Sequence, residues 1–333
     1  MIRFAQDNDL KQLKNLWKIA FPEDSMDFIH FYFSEKNKVE HTLIQDFDGK
    51  IVAMMEMIPY KMTFFDKLVD VYYISGANTL PTFQGQGLMS NLIKQSFQTA
   101  YQQGYACAVL FPQNEAVINF YKQFDFEQVF EYQIYTPNIK PLYLPVETLT
   151  DKNLLEAYQF FNNQTLKRNF CIQKTIDDFR TIVQECYLSN GTPFLLRKNN
   201  KIVAMAFCFL YKDLIIKDIL DSSISDKEQL LAAIAHFYHT EKMQIIEPNC
   251  NSSENQSFSW GMLRLINYSQ LANIYTQHQP NASSFCFHDN FIAENNGIWG
   301  TKQSDVLSFK HSDFCNYLFK NQAQKPFMNL MLD

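Results

Sequence analysis

No C-x-x-C pair occurs anywhere in the 333 residues. The seven cysteines, Cys107, Cys171, Cys186, Cys208, Cys250, Cys286 and Cys315, are odd in number and scattered. That pattern argues against a disulfide framework or a zinc site and fits a reducing compartment. No run of lysine or arginine appears, and the net charge is −6, which argues against a nucleic-acid partner. No apolar run approaches the length of a membrane span. The N-terminus, M-I-R-F-A-Q-D-N-D, has no apolar signal core. The expectation is a cytoplasmic protein that binds neither nucleic acid nor membrane. His236 and His239 stand three apart on an expected helix, but a third metal ligand is lacking, so no metal is expected.

What is present in excess is phenylalanine, 31 residues of it, so cores and pockets are expected to be aromatic-rich. The length suffices for two or three domains with sizeable cores. One stretch organises the chain: Thr82 to Ile93, T-F-Q-G-Q-G-L-M-S-N-L-I. A strand-like run, Val69 to Leu80, precedes it and ends at Pro81. A helical pattern follows, with Leu88, Leu92, Ile93, Phe97 and Ala100 at steps of three and four. A glycine turn between strand and helix leaves several N–H groups unpaired at the positive end of a helix dipole. Such a turn suits a pyrophosphate. Gly85 and Gly87 lack Cβ, which permits positive φ and close approach of a ligand.

Around it the chain reads as Ile2 to Ala5 (strand) and a helix with Leu10, Leu13, Leu16, Trp17 and Ala20 on one face. A second amphipathic segment runs Met26 to Phe33. A hairpin turns at Asp48-Gly49, and a further strand pair is Tyr60 to Phe65 with Val69 to Leu80. After the glycine turn come strand Tyr105 to Phe111, helix Glu115 to Gln123 and a closing strand, Phe126 to Ile134. A proline-rich linker lies near Pro137, Pro141 and Pro145. Beyond it, Lys201-Ile202-Val203-Ala204-Met205 repeats Lys50-Ile51-Val52-Ala53-Met54, and the same element order surrounds both. That indicates an internal duplication. The second copy has D-S-S-I-S-D-K-E-Q where the first has its glycines, and its carboxylates would repel a phosphate. Asn249 to Ser259 is polar and reads as a further linker or exposed loop.

The six residues Gln84-Gly85-Gln86-Gly87-Leu88-Met89 fit Q/R-x-x-G-x-G/A, except that Met89 replaces a small residue. They resemble the acyl-CoA pyrophosphate loop of the GNAT superfamily of N-acetyltransferases. Asn114 to Phe126 resembles a second motif of that superfamily, N-x-x-A-x-x-x-Y-x-x-x-G-F, with slightly altered spacing and Asp125 where glycine is usual. An N-terminal GNAT domain, a degenerate second copy and a small carrier-like domain together resemble the enhanced-intracellular-survival (Eis) acetyltransferases. The fold class expected is therefore α+β: tandem GNAT folds with mixed sheets plus a shortened sterol-carrier-like domain. The expected bounds are 1–138, 139–256 and 257–333.

The resemblance implies acetyl-CoA as co-substrate, a small-molecule or peptide amine as acceptor, and a homo-oligomer. The pyrophosphate would rest on Gln84, Gly85, Gln86, Gly87, Leu88 and Met89. The pantetheine arm would pair with the strand edge at Asn78, Thr79 and Leu80. Asn114 is either a hydrogen-bond partner of that arm or a helix cap. Tyr121 is the general acid implied by the motif, the plain alternative being a core tyrosine beside Phe120, Phe124 and Phe126. The resemblance also assigns the general base to the terminal carboxylate, here that of Asp333, against the alternative of a frayed tail. Glu56 is the reserve base or cation-binding residue, or else a solvated strand glutamate. The competing function is a non-catalytic acyl-CoA sensor or small-ligand-binding protein on the same scaffold.

Overall fold

The computed structural model describes residues 1–249, 256–300, 306–320 and 325–331. The chain divides into two compact units, the first Met1–Val129 with Gly261–Asn321, the second Phe130–Trp260 with Gln322–Asp333. The chain runs β1 (Ile2–Phe4), α1 (Leu10–Ala20), α2 (Met26–Glu35), β2 (Thr42–Phe47), β3 (Lys50–Phe64), β4 (Lys67–Thr79), α3 (Leu88–Gln102), β5 (Cys107–Leu110), α4 (Glu115–Lys122) and β6 (Glu127–Tyr135). It continues with β7 (Val146–Thr148), α5 (Leu154–Thr165), β8 (Ile172–Gln173), α6 (Ile176–Leu188), β9 (Thr192–Lys198), β10 (Lys201–Leu210), β11 (Leu214–Asp221), α7 (Ile224–Phe237) and β12 (Gln244–Pro248). Then follow β13 (Gln256–Leu265), α8 (Tyr268–His278), β14 (Ser284–His288), β15 (Gly297–Trp299), β16 (Val306–Lys310) and α9 (His311–Cys315). Among the described residues no helix is long and apolar enough to cross a membrane.

In the first unit the strand order is β1-β2-β3-β4-β5-β13. Every neighbour is antiparallel except β4 and β5, which are parallel. One face carries α1 and α2, through Leu13, Leu16, Trp17, Tyr32 and Phe33. The other carries α3 and α4, through Leu88, Leu92, Phe97, Ile118 and Tyr121. The helix faces follow the apolar spacing read from the sequence. A smaller sheet, β15-β14-β16, buries Phe285 and Phe287 against Phe314.

The second unit repeats the order as β7-β9-β10-β11-β12-β6, again with one parallel pair, β11 and β12. The hairpin turns correspond too. Asp48 and Gly49 have φ of 48° and 84°, Asn199 and Asn200 of 49° and 61°. Both central residues with positive φ is the turn that matches strand twist, and Asp, Asn and Gly tolerate it best.

Two expectations are corrected here. The strand expected to close the first copy is β6, but its residues 132–135 pair with β12. The place beside β5 is taken by Met262–Leu265 of β13. The polar stretch expected to be linker or loop up to Ser259 is strand from Gln256 onward.

β4 carries a bulge. Met54 pairs with Asn78, but Glu56 pairs with Ser75, so β4 has one residue more than β3 across that step. Gly76, inside it, has φ of 57°, and a Cβ there would lie 2.5 Å from Cζ3 of Trp17. Gly76→Ala therefore meets both backbone strain and a ring held in the core. Its expected cost is about 2–4 kcal/mol. Gly85→Ala, with positive φ but open space around the Cβ, should cost about 1 kcal/mol. Urea denaturation of the two variants checks the order; equal stabilities would contradict the packing argument.

Candidate active site

The parallel strands β4 and β5 pair at Val71–Tyr73 with Cys107–Val109, and just before β5 the Ala106 N–H donates to Asp70 O at 2.7 Å. β4 runs on to Thr79, so its last six residues have no β5 partner. The Leu80 N–H donates to Val52 O at 2.8 Å. Strand alternation then turns the Thr79 N–H towards the opposite, open edge. Beside that edge lies a cavity of about 530 Å³, walled by Ala77, Asn78, Thr79, Phe83, the glycine turn and the start of α3, with Ile19–Phe21, Gln113 and Phe120.

Asn78 is 8% exposed. Its Nδ2 donates to Gly76 O at 2.8 Å, while its buried Oδ1 accepts nothing among the described residues. A buried acceptor left without a donor costs free energy unless a ligand or water supplies one. Leu80, expected to pair with a ligand, spends both backbone groups internally: its carbonyl accepts from Phe83 N. The open edge therefore belongs to Thr79 and its neighbours on β4.

The glycine turn is open. Gly85 and Gly87 have φ of 75° and 74°, and a Cβ on either would meet nothing. Gly87 is the N-cap of α3 and offers no side chain to it. Among the described residues no acceptor takes the N–H groups of Gly85, Gln86, Gly87, Leu88, Met89 or Ser90. Six amides thus stand free at the positive end of a 15-residue helix. Gln84 donates its side-chain amide to Thr79 O at 3.2 Å, which ties the turn to the strand end. Gln86 is exposed and does not line the cavity.

Asn114 caps α4: its Oδ1 accepts from Val117 N at 3.1 Å, and it does not line the cavity. Tyr121 is 5% exposed and packed edge-on against Phe120 and Phe126. Burial with no compensating hydrogen bond pushes its phenol well above the ordinary range. It shares an apolar cluster with Leu88 and Leu110, and Phe120 beside it lines the cavity. Asp125, standing where the motif usually has glycine, takes φ of 61°. The left-handed conformation is kept by a residue type that tolerates it.

Glu56 is fully buried rather than solvated. Its Oε1 accepts from Asn37 Nδ2 at 2.7 Å and its Oε2 from Tyr32 OH at 3.3 Å. The Tyr32 hydroxyl also meets Ser75 Oγ at 2.8 Å, next to the bulge. Burial raises the carboxyl to about 7, opposed by the two hydrogen bonds and by the charge of Lys36. Glu56 does not line the cavity. Asp333 lies outside the described residues. The segment before it is not frayed: Phe327, Met328, Leu330 and Met331 are buried in the second unit. There Phe327 N donates to Phe170 O at 3.1 Å, and Asn329 donates to Lys217 O.

Residues 1–129 match the family model described as an acetyltransferase (GNAT) domain. Three solved structures share the fold across most of the chain. A probable N-acyltransferase from Enterococcus faecalis has a TM-score of 0.79 at 13% identity, over 96% of this chain and 89% of its own. A GCN5-related N-acetyltransferase from Anabaena variabilis has 0.77 at 15%, over 94% and 88%. Eis1 from Mycobacterium abscessus has 0.68 at 11%, over 94% and 88%. No curated protein matches the chain in sequence. The fold class is α+β with mixed sheets, and its first 129 residues carry a GNAT-type domain.

Sequence reasoning missed Gly76, Ile19–Phe21 and Gln113. For Gly76 a signal existed, since a lone glycine inside a strand pattern marks a bulge. His236 and His239 do not share a helix, because α7 ends at Phe237 and His239 has φ of 50°. Among the described residues no group of three His, Cys, Asp or Glu could hold a metal.

The Glu56 carboxyl holds its proton more tightly folded than unfolded. Its contribution is therefore favourable at low pH and is lost as pH rises from about 4.5 to about 7. Glu56→Gln keeps the shape and removes the ionisation. The variant should gain on wild type by up to about 3 kcal/mol at pH 8 and lose that gain below pH ~4.5. Denaturant unfolding across pH checks it; a pH-independent difference would exclude a buried titrating Glu56.

Proposed function

We propose that this protein is an N-acyltransferase that moves an acetyl group from acetyl-CoA to a primary amine by direct attack. One observation carries the reading: six unclaimed amides at the start of α3, beside a strand edge that β5 leaves open. Backbone donors at a helix N-terminus hold a pyrophosphate, and an open strand edge can pair with an amide-rich arm. Asn78, whose buried Oδ1 has no donor among the described residues, belongs to the same cavity wall. The residues fit the cofactor, with Gln84, Gly85, Gln86, Gly87, Leu88 and Met89 at the pyrophosphate and Asn78 and Thr79 along the arm.

Acetyl-CoA supplies the activated acyl group. The Thr79 N–H, turned to the open edge, is placed to polarise a thioester oxygen. As the amine nitrogen bonds to the acyl carbon, the carbon–sulfur bond breaks. Tyr121, kept protonated by burial, gives its proton to the departing thiolate. Asp333 is the proposed base for the proton of the attacking amine, with Glu56 in reserve. Within the second unit the C-terminal segment is held by buried apolar side chains and by backbone bonds to Phe170.

We read residues 1–138 as the catalytic domain, 139–256 as a copy that lacks the donor site, and 257–333 as the carrier-like domain. Support for the empty copy is local. α7 is capped by Ser223, whose Oγ accepts from Asp226 N at 3.2 Å, and Asp226 pairs with Lys198. A closed, acidic helix start does not take a phosphate. Among the described residues Cys107, Cys186, Cys208, Cys286 and Cys315 are free thiols, in keeping with a cytoplasmic setting.

The competing reading is an acyl-CoA sensor, and one observation favours it: Tyr121 is packed among rings and does not line the cavity. Turnover decides. Acetyl-CoA mixed with polyamines, aminoglycosides or lysine-rich peptides should release CoA, and titration calorimetry should find one acetyl-CoA per chain. Tyr121→Phe should lower kcat by about 10²–10⁴ with binding little changed. Tight binding with no turnover in wild type would favour the sensor. A second bound acetyl-CoA would contradict the empty copy. Asp333→Asn should lower turnover; unchanged turnover would remove the Asp333 side chain as base.

A further inference from the structure

Among the described residues the walls of the cavity contain no charged side chain, yet a CoA thioester brings an ionised pyrophosphate and a 3′-phosphate. Dipoles at the helix start account for the pyrophosphate alone. Among the described residues one cation lies over a ring of the cavity wall: Lys50 Nζ is 5.2 Å from the centroid of Phe83. Lys50 is exposed, and no described carboxylate pairs with it. Phe47, across the β2–β3 turn from Lys50, packs on the same ring at 5.9 Å.

The turn is held firmly. Gln12 of α1 donates to Gly49 O at 3.0 Å and accepts from Ile51 N at 3.1 Å, and Asp46 accepts from Gly49 N at 2.8 Å. Phe83 stands two residues before Gly85, at most about 7 Å along the chain. From the glycine turn outward the order is free amides, aromatic ring, cation. The nucleotide end of CoA has a partner for each: beyond the pyrophosphate one ribose carries both the adenine base and the 3′-phosphate, so a ring and a cation are needed side by side.

Resting on the acyl-CoA reading, we propose that Phe83 and Lys50 form the subsite for the nucleotide end of the donor. Adenine lies against Phe83, and Lys50 meets the 3′-phosphate. Phe47 holds the Phe83 ring in place and is a positioning residue. The charge that glutamines at 84 and 86 do not provide is supplied from the β2–β3 turn.

The experiment compares acetyl-CoA with its 3′-dephospho form in wild type, Lys50→Gln and Phe83→Ala, by calorimetry at low and high salt. Lys50→Gln should weaken acetyl-CoA about fivefold at low salt and less at high salt, because exposed pairs are screened. The same variant should leave the dephospho form unchanged. Phe83→Ala should weaken both. Equal losses for both ligands in Lys50→Gln, or no loss for either, would overturn the subsite while leaving the acyl-CoA reading intact. Failure of wild type to bind either ligand would overturn both. Lys50 is exposed, so the variant should melt as wild type does, which a thermal scan confirms.

Discussion

A parallel strand pair that stops pairing after three residues leaves a row of backbone groups to be satisfied elsewhere. That is the constraint on which the first unit turns. β4 continues for six residues past its last partner on β5, and buried backbone donors and acceptors are rarely left unmatched. The bulge at Gly76 sets the direction of that free stretch. Its left-handed glycine packs beneath Trp17, so α1 and the bulge fix one another. Trp17 in turn packs tilted on Tyr32, ring centroids 4.4 Å apart, and Tyr32 reaches Glu56 and Ser75. The open edge is thus held by a chain of contacts running through the α1–α2 face.

The second unit meets the same constraint differently. β11 and β12 pair only at Ile215–Ile216 with Gln244–Ile245. The Ser222 N–H donates to Val203 O, so alternation turns the Ile219 carbonyl to the open side. There the Arg168 guanidinium donates to Ile219 O at 3.2 Å and pairs with buried Asp218. Phe327 lies under the same guanidinium at 5.1 Å. One copy leaves its strand edge to a cavity and its helix start uncapped. The other fills the edge with its own arginine and caps the helix with its own serine. The difference between a candidate donor site and a scaffold comes down to who satisfies the same backbone groups.

Much of this was readable in the residues. The glycine turn, both hairpin turns and the buried helix faces follow from positive φ and from period, which a sequence displays directly. Asp125 could also be placed, since a left-handed residue in that motif accepts Asp. The exchange of places between β6 and β13 was not readable. Both are apolar enough to pair with either parallel partner, and hydrogen-bonding strands do not name their neighbours. Glu56 looked like a solvated strand residue because alternation gives a face but not its cover. Its burial is decided by Tyr32 and Asn37, around twenty residues earlier. Asn114 showed both roles in one residue type, and only the Val117 amide distinguishes the cap.

The charge arrangement around the turn has a kinetic consequence. A donor held by amides and a neutral wall is bound through short-range dipoles, which lose strength within about one helical turn. A guanidinium in the turn would hold it through a full charge. Dipole binding sacrifices affinity but sheds the spent thiol more readily, because most affinity differences appear in the dissociation rate. In a net-acidic protein whose one cation beside the turn, Lys50, is exposed and screened, an anionic ligand gains little from lingering. The glutamines at 84 and 86 therefore suit a site that must release its product once per turnover more than one that stores its ligand. Ready release is what the proposed acyl transfer requires, an argument independent of the Tyr121 motif.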